Sequence, residues 1–395
     1  MIPLFKVYMS PDAKDRVAEV LDSGYIGEGE KVKEFEKKLM DFFKPDIGID
    51  IITTNSATSA EHLIYHILKT PRMLTRKYAW GFADQYWPGL DENSEVLTTP
   101  LTCTATNWPI LANNLKLRWV DVDPETMNMS LVDLQSKIDV NTRIVQVVHW
   151  GGYPIDMKTL RSIITNAEIQ FKTKIMIIED CAHGFGSKYE NIYLGMSPYS
   201  DFATYSLQAI KHITSIDGGF LVSPYEQFND AARLLRWYGI DRNSPRTDFR
   251  CEGDIPEYGF KFHMNDVNAT VGIENLKHAA DILGRHKSNA KYYNTELQNI
   301  PGITLLQNNK TSESAYWLYT IIAERRDLFI KHMEKCGIAA SRVHERNDKH
   351  TCVNQFKEPL PILDDVVKNM VCIPVGWWIT DENREYIVET IKKGW

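Results

Sequence analysis

Apolar residues recur at helical spacing in two stretches near the start of the chain, 13–21 and 31–43, the second through Val32, Phe35, Leu39 and Phe42. Glycines at 24, 27 and 29 break the pattern between them and predict a turn. A third helix is expected over 58–68, entered through Asn55-Ser56-Ala57-Thr58-Ser59, residue types that cap helix N-termini. Short β-rich runs follow at 95–99, 117–122, 144–148, 175–178, 202–206 and 219–222, with helical stretches at 131–138 and 157–167 between several of them. Strands alternating with helices predict an α/β fold with a mainly parallel sheet covered on both faces. Such sheets bind ligands at the carboxyl ends of their strands.

After about residue 270 the pattern changes to a long helical segment, a strand at 317–323, a helix at 327–336 and a terminal helix from Asp381. This predicts a large domain over 1–270 and a smaller C-terminal α/β domain over 271–395, with no internal repeat.

Composition narrows the class without choosing within it. The 395 residues suffice for a sizeable core, and 43% hydrophobic with 25% charged residues excludes fibrous and low-complexity chains. The formal charge of −7 is no footprint for nucleic acid or an anionic membrane. Six cysteines, at 103, 181, 251, 336, 352 and 372, form no CxxC pair, so neither a disulfide framework nor a metal site is expected. No stretch approaches the roughly 18 apolar residues of a membrane helix, and a cytoplasmic protein is expected. The 10 Trp and 18 Tyr fit either stacking surfaces for a planar ligand or ordinary core aromatics.

Candidate chemistry gathers at two places. The run 175–178 ends in Glu179-Asp180-Cys181-Ala182-His183, which puts a carboxylate and an imidazole at the edge where a sheet ligand sits. A carboxylate there can keep a heteroaromatic ring nitrogen protonated, although an Asp after a strand equally often caps a helix. Some thirty residues on, Lys211 lies in a loop between two β-rich runs. Lysine bonds aldehydes and acts as a base once its neighbours lower its pKa, but alone on a loop it is ordinarily just solvated. The helix start at Thr58-Ser59 offers unpaired N–H groups to a phosphate, and Ser206 sits five residues before Lys211. An aldehyde, a pyridine nitrogen and a phosphate together describe pyridoxal 5′-phosphate. Cys181, His183 and His212 lack metal-ligand spacing, and Gly27-Glu28-Gly29 lacks the third glycine of a dinucleotide fingerprint. The polar run 342–350 reads equally as a solvated loop or as the border of a charged substrate.

Taken in order, six segments resemble the DegT/DnrJ/EryC1/StrS family of sugar aminotransferases over nearly the whole chain. They are Gly24-Tyr25-Ile26-Gly27-Glu28-Gly29, Thr54-Asn55-Ser56-Ala57-Thr58-Ser59-Ala60, Thr102-Cys103-Thr104-Ala105-Thr106-Asn107, Val120-Asp121-Val122-Asp123, Glu179-Asp180-Cys181-Ala182-His183, and the run from Ser206 to Lys211 closing in Asp217-Gly218-Gly219. The resemblance implies the fold-type I architecture of aspartate aminotransferase, with a seven-stranded sheet, pyridoxal 5′-phosphate as cofactor, L-glutamate as amino donor and a nucleotide-linked keto-deoxysugar as acceptor. It also implies a homodimer whose subunits complete each other's sites. By the same resemblance Lys211 is the lysine that bonds the cofactor and moves the proton, and Asp180 pairs with the pyridine nitrogen. His183 lies near the 3-hydroxyl, Thr58, Ser59 and Ser206 bind the phosphate, and Gln208 lies close to it. Asn265 is a further cofactor or substrate candidate. Cys103 stands where many relatives carry a stacking ring, and Trp237 where many carry an Asn directed at the neighbouring subunit. Two other readings remain open: a sugar 3-dehydratase of the same fold, whose members place His where this chain has Lys211, and a binding protein without turnover.

Overall fold

Short buried strands make the centre of the molecule, and in the computed structural model seven of the described strands join in one sheet. The structure describes residues 1–78, 81–242, 244, 248, 253–308 and 311–395. In order across the sheet the strands are Asp50–Thr54, Gly219–Ser223, Phe202–Ser206, Met176–Asp180, Thr142–Val148, Glu95–Thr98 and Lys116–Trp119. Gly219–Ser223 runs antiparallel to both neighbours, and the other pairings are parallel.

The two-residue period of the strands sorts their side chains between two cores. Ile144, Met176, Ile178, Phe202 and Leu221 pack with Ala60, Ile64 and Ile67 of the helix Ala57–Leu68. Val145, Val147, Ile177, Ala203 and Phe220 lie on the other face with Phe35 and Leu39 of Glu30–Phe43 and Leu160 and Ile164 of Met157–Phe171. Asp180 therefore shares the face of Ile178, and Glu179 and Cys181 the opposite one. A third cluster is built on the antiparallel strands Ile303–Leu305, Tyr319–Ala323 and Met370–Ile373 under the helices Ala279–Glu296, Arg326–Lys335 and Asp381–Lys392. The helix Asp266–Leu276 runs across residue 270, and its Gly272 faces the Phe35 ring.

Several expected boundaries move for physical reasons. The strand expected to reach residue 122 ends at Trp119, because Asp121 turns to accept the Ile362 and Leu363 amides at 2.9 and 2.8 Å, capping the helix Pro361–Asn369. The strand expected from residue 317 starts at Tyr319. The strand Asp50–Thr54, the hairpin Arg72–Tyr78 with Gly81–Trp87, and the helix Thr104–Ala112 are additions to the sequence pattern. Cys103, Cys181, Cys336, Cys352 and Cys372 are free, and Cys251 lies outside the described residues. No described helix is long and apolar enough to cross a membrane.

Candidate active site

Asp180 ends its strand at the carboxyl edge, 3% exposed. Its Oδ1 accepts the Ala182 amide at 2.8 Å and its Oδ2 the Thr106 hydroxyl at 2.6 Å. Thr106 in turn is 2.8 Å from the Thr102 hydroxyl, so a short hydroxyl chain from the start of the helix Thr104–Ala112 fixes the carboxylate. The next strand places Thr204 beside Asp180, and four residues later the chain turns through Gln208 to Lys211. The Lys211 amide bonds the Gln208 carbonyl at 2.9 Å. Lys211 is half-buried, and burial lowers its pKa to about 8 against the pull of Asp180 and Cys103.

The amine rests on an aromatic floor supplied from far along the chain. Lys211 Nζ is 3.6 Å from the centroid of the Trp317 ring. Trp317 stacks on His183 at 4.0 Å and on Phe5 at 5.3 Å, and its Nε1–H donates to the Ile210 carbonyl at 3.0 Å. The Gly151 amide donates to His183 Nδ1 at 3.3 Å, which leaves His183 Nε2–H for His344 Nε2, also 3.3 Å away. Burial, and then the nearby lysine, pushes both imidazoles down, His344 to about 3, so both are neutral at physiological pH.

Opposite the lysine loop, Ser56 caps the helix Ala57–Leu68 by accepting the Ser59 amide at 3.1 Å. Thr58 is exposed on that first turn, where backbone N–H groups lack intrahelical acceptors. The strand Gly219–Ser223 passes so close that a Cβ on Gly219 would lie 2.3 Å from the Ala57 nitrogen. Ser206, at the end of the neighbouring strand, pairs with Gly219, and its hydroxyl accepts the Gln208 amide at 3.3 Å. The structure thus brings Asp180, His183, Ser206 and Lys211 to one sheet edge, with Cys103 at the N-cap of Thr104–Ala112 and Thr58 and Ser59 at the facing helix start. Gln208 is exposed, and its Oε1 accepts the Ile210 amide at 3.1 Å. Asn265 caps the helix Asp266–Leu276 through its Oδ1, 2.8 Å from the Asn268 amide, and no described bond joins it to the lysine cluster.

Two buried groups lie behind this edge. On the far face, His149 Nε2, Glu179 and Cys181 come within 4.8 Å of one another. The Ile155 amide occupies His149 Nδ1, so Nε2–H donates to Glu179 at 2.9 Å, and Ser200 donates to the other carboxylate oxygen. On the near face, Glu61 is 1% exposed and accepts from Thr204 Oγ1 at 3.2 Å. Burial, reinforced by Asp180, holds its carboxyl well above the usual range. Thr106 and Trp317 escaped the sequence reading as site residues, and His344 entered it only within the polar run 342–350. Thr106 stands inside a quoted segment, but Trp317 and His344 reach the lysine only through the tertiary fold.

The sheet order, with one antiparallel strand and a lysine loop at the carboxyl edge, defines a fold-type I transferase architecture. The solved structure of AtS13 from Actinomadura melliaura is 42% identical to this chain, with a TM-score of 0.91 over 100% of this chain and 99% of the other. The sugar aminotransferase CalS13 from Micromonospora echinospora is 40% identical, with a TM-score of 0.90 over 100% of both. Among sequence relatives, GDP-perosamine synthase of Escherichia coli O157:H7 is 26% identical over 99% of this chain and 98% of its own length. The profile of the DegT/DnrJ/EryC1/StrS aminotransferase family matches residues 8–392, and the chain belongs to that family of enzymes.

Proposed function

We propose that the protein is a pyridoxal 5′-phosphate-dependent aminotransferase that carries an amino group from L-glutamate to a nucleotide-linked keto-deoxysugar in deoxyaminosugar synthesis. The observation that carries this reading is one sheet edge holding a buried amine, a fixed carboxylate and a helix start. These fit the cofactor's aldehyde, ring nitrogen and phosphate respectively. The family membership and the sugar aminotransferase CalS13 at 40% identity support the sugar as acceptor.

In this reading Lys211 holds the cofactor covalently, Asp180 accepts a hydrogen bond from the protonated ring nitrogen, and the first turn at Thr58 and Ser59 joins Ser206 around the phosphate. Cys103 and His183 would line the ring. Gln208 and Asn265, whose carboxamide oxygens are already engaged, would contribute through their NH2 groups. The bound cofactor supplies an electron sink for the carbon next to nitrogen. Lys211 Nζ, with its lowered pKa, takes the proton from the amino donor's carbon and later returns one to the sugar carbon.

The homodimer and the division near residue 270 into a cofactor-binding and a smaller unit belong to the same proposal. A cleft of about 650 Å³ away from Lys211 is bordered by Tyr25, Ile26, Trp237 and Arg242, and Tyr25 is 84% exposed, which favours a second subunit covering that surface. The protein is read as cytoplasmic. Incubation of the cofactor-loaded protein with L-glutamate and a panel of dTDP-, UDP- and GDP-linked keto-sugars, followed by mass spectrometry, tests the proposal. Conversion of at least one keto-sugar to its amine is expected, and no amination of any of them would refute it.

A further inference from the structure

Trp317 belongs to the third core cluster's end of the chain by sequence, yet its indole lies at the lysine loop. It is 3% exposed, stacked against both Phe5 and His183, with Nε1 bonded to the carbonyl of the residue before Lys211. Its neighbours are fixed in turn. Gly151, with φ 59, donates to His183 through its amide and accepts the Leu318 amide through its carbonyl at 3.1 Å, so one residue holds both stacked rings. These contacts hold the indole in place, and the Lys211 amine lies over its ring, 3.6 Å from the centroid.

We propose that Trp317 is the positioning residue of the Lys211 amine: its ring face is where the amine rests when not bonded to the cofactor, and where the ammonium formed by proton uptake is held before it gives the proton back. The inference rests on Lys211 being the cofactor lysine.

The chemistry follows from the surroundings. When a C–H bond of the substrate breaks and its proton joins Nζ, a positive charge appears at the sheet edge. The groups facing it are Asp180 from the strand end, Cys103 from the helix start, His183 and His344 from the flanking segments, and the adjacent His212. The three imidazoles are held neutral by burial, so they add no favourable charge. Asp180 is committed to Thr106 and Ala182 and, in the proposed function, to the ring nitrogen. The negative face of the indole then favours the cation without trapping the amine in a salt bridge. A carboxylate there would hold the proton too tightly for its return.

The test is the pH dependence of Lys211 acetylation in the protein loaded with pyridoxamine 5′-phosphate, where the lysine is free, read peptide by peptide by mass spectrometry. The wild-type midpoint is the reference for the variants. Trp317→Leu keeps apolar bulk but removes the ring face, and should lower the midpoint by about 0.4 to 1.5 pH units. Trp317→Phe keeps a weaker face and should move it less, in the same direction. An unchanged or raised midpoint in Trp317→Leu overturns the proposal, as does an unmoved Trp317→Phe if the leucine variant does not fold. A purely structural role would lower the melting temperature without moving the midpoint. Failure of the underlying reading looks different: wild-type protein would then show no glutamate-dependent spectral conversion of its cofactor.

Discussion

Replacing Thr106 by Val removes one hydroxyl from the deepest part of the site while keeping the side chain's shape. That hydroxyl donates to Asp180 Oδ2 at 2.6 Å and lies 2.8 Å from Thr102 Oγ1, and both threonines are 1% exposed. Because Thr106 gives its proton to the carboxylate, Thr102 must be the donor to Thr106, and the valine variant strands both ends of the chain. A hydrogen bond to a charged group contributes about 1.5–3 kcal/mol and a neutral one about 1 kcal/mol, so the cofactor-free protein should lose about 3 kcal/mol. Urea unfolding measures it, and Thr106→Ser, which keeps the hydroxyl, should restore most of the loss. Thr102→Val should cost about 1 kcal/mol alone and almost nothing on the Thr106→Val background, because its acceptor is already gone. Equilibrium dialysis should show cofactor binding weakened by about tenfold or more, the equivalent of about 1.4 kcal/mol. A valine variant within about 0.5 kcal/mol of wild type, or a serine variant no better than valine, would refute the hydroxyl chain as the support of Asp180.

Lys211→Met should stabilise the cofactor-free protein. The folded chain releases the lysine proton at about 8 and the unfolded chain at 10.5, so stability rises with pH between these values and the penalty, about 3 kcal/mol, is complete below 8. The gain on substitution, read by denaturant unfolding, should be largest at pH 7 and vanish near pH 10.5. Burial depresses His286 and His263 to about 4 and His344 to about 3, from 6.5, so stability should fall as pH drops below 6.5, by about 1.4 kcal/mol per pH unit for each fully depressed group. Melting temperatures that stay level between pH 7 and 5 would contradict this, and His344→Asn should flatten the slope. Gly219→Ala must displace the start of the helix Ala57–Leu68, 2.3 Å from the new Cβ, at a cost of about 1–3 kcal/mol. Its phosphate affinity, measured with inorganic phosphate as competitor of cofactor binding, should fall with it.

The central strands were legible because they are buried on both faces and rich in β-branched and aromatic residues, as at 144–148 and 202–206. The hairpin Arg72–Tyr78 with Gly81–Trp87 was not, since Leu74 and Trp87 alone are buried along its strands, leaving no alternation to follow. Pro109 hid the helix Thr104–Ala112, and the strand Asp50–Thr54 ends in two threonines that read as part of the following cap. In the site, the carboxylate, lysine and helix start announced themselves because each follows a local pattern: a strand end, a loop and an N-cap. Trp317 gave no such signal, and His344 stood out only as a member of the polar run 342–350. They meet His183 and Lys211 across more than a hundred residues, and Trp317 leaves the strand that its neighbours suggest in order to bond Ile210. Stacking followed the same logic: the position expected to carry a ring is Cys103, while the aromatic surface beside the lysine comes from the C-terminal part of the chain.

The account stands on Lys211 as the residue that bonds the cofactor. Borohydride reduction of the pyridoxal 5′-phosphate-loaded protein, followed by digestion and mass spectrometry, reads that bond directly. The pyridoxyl mass is predicted on the peptide carrying Lys211 and on no other lysine, and on none in Lys211→Ala. A label on a different lysine, or no label in the wild-type protein, would contradict it.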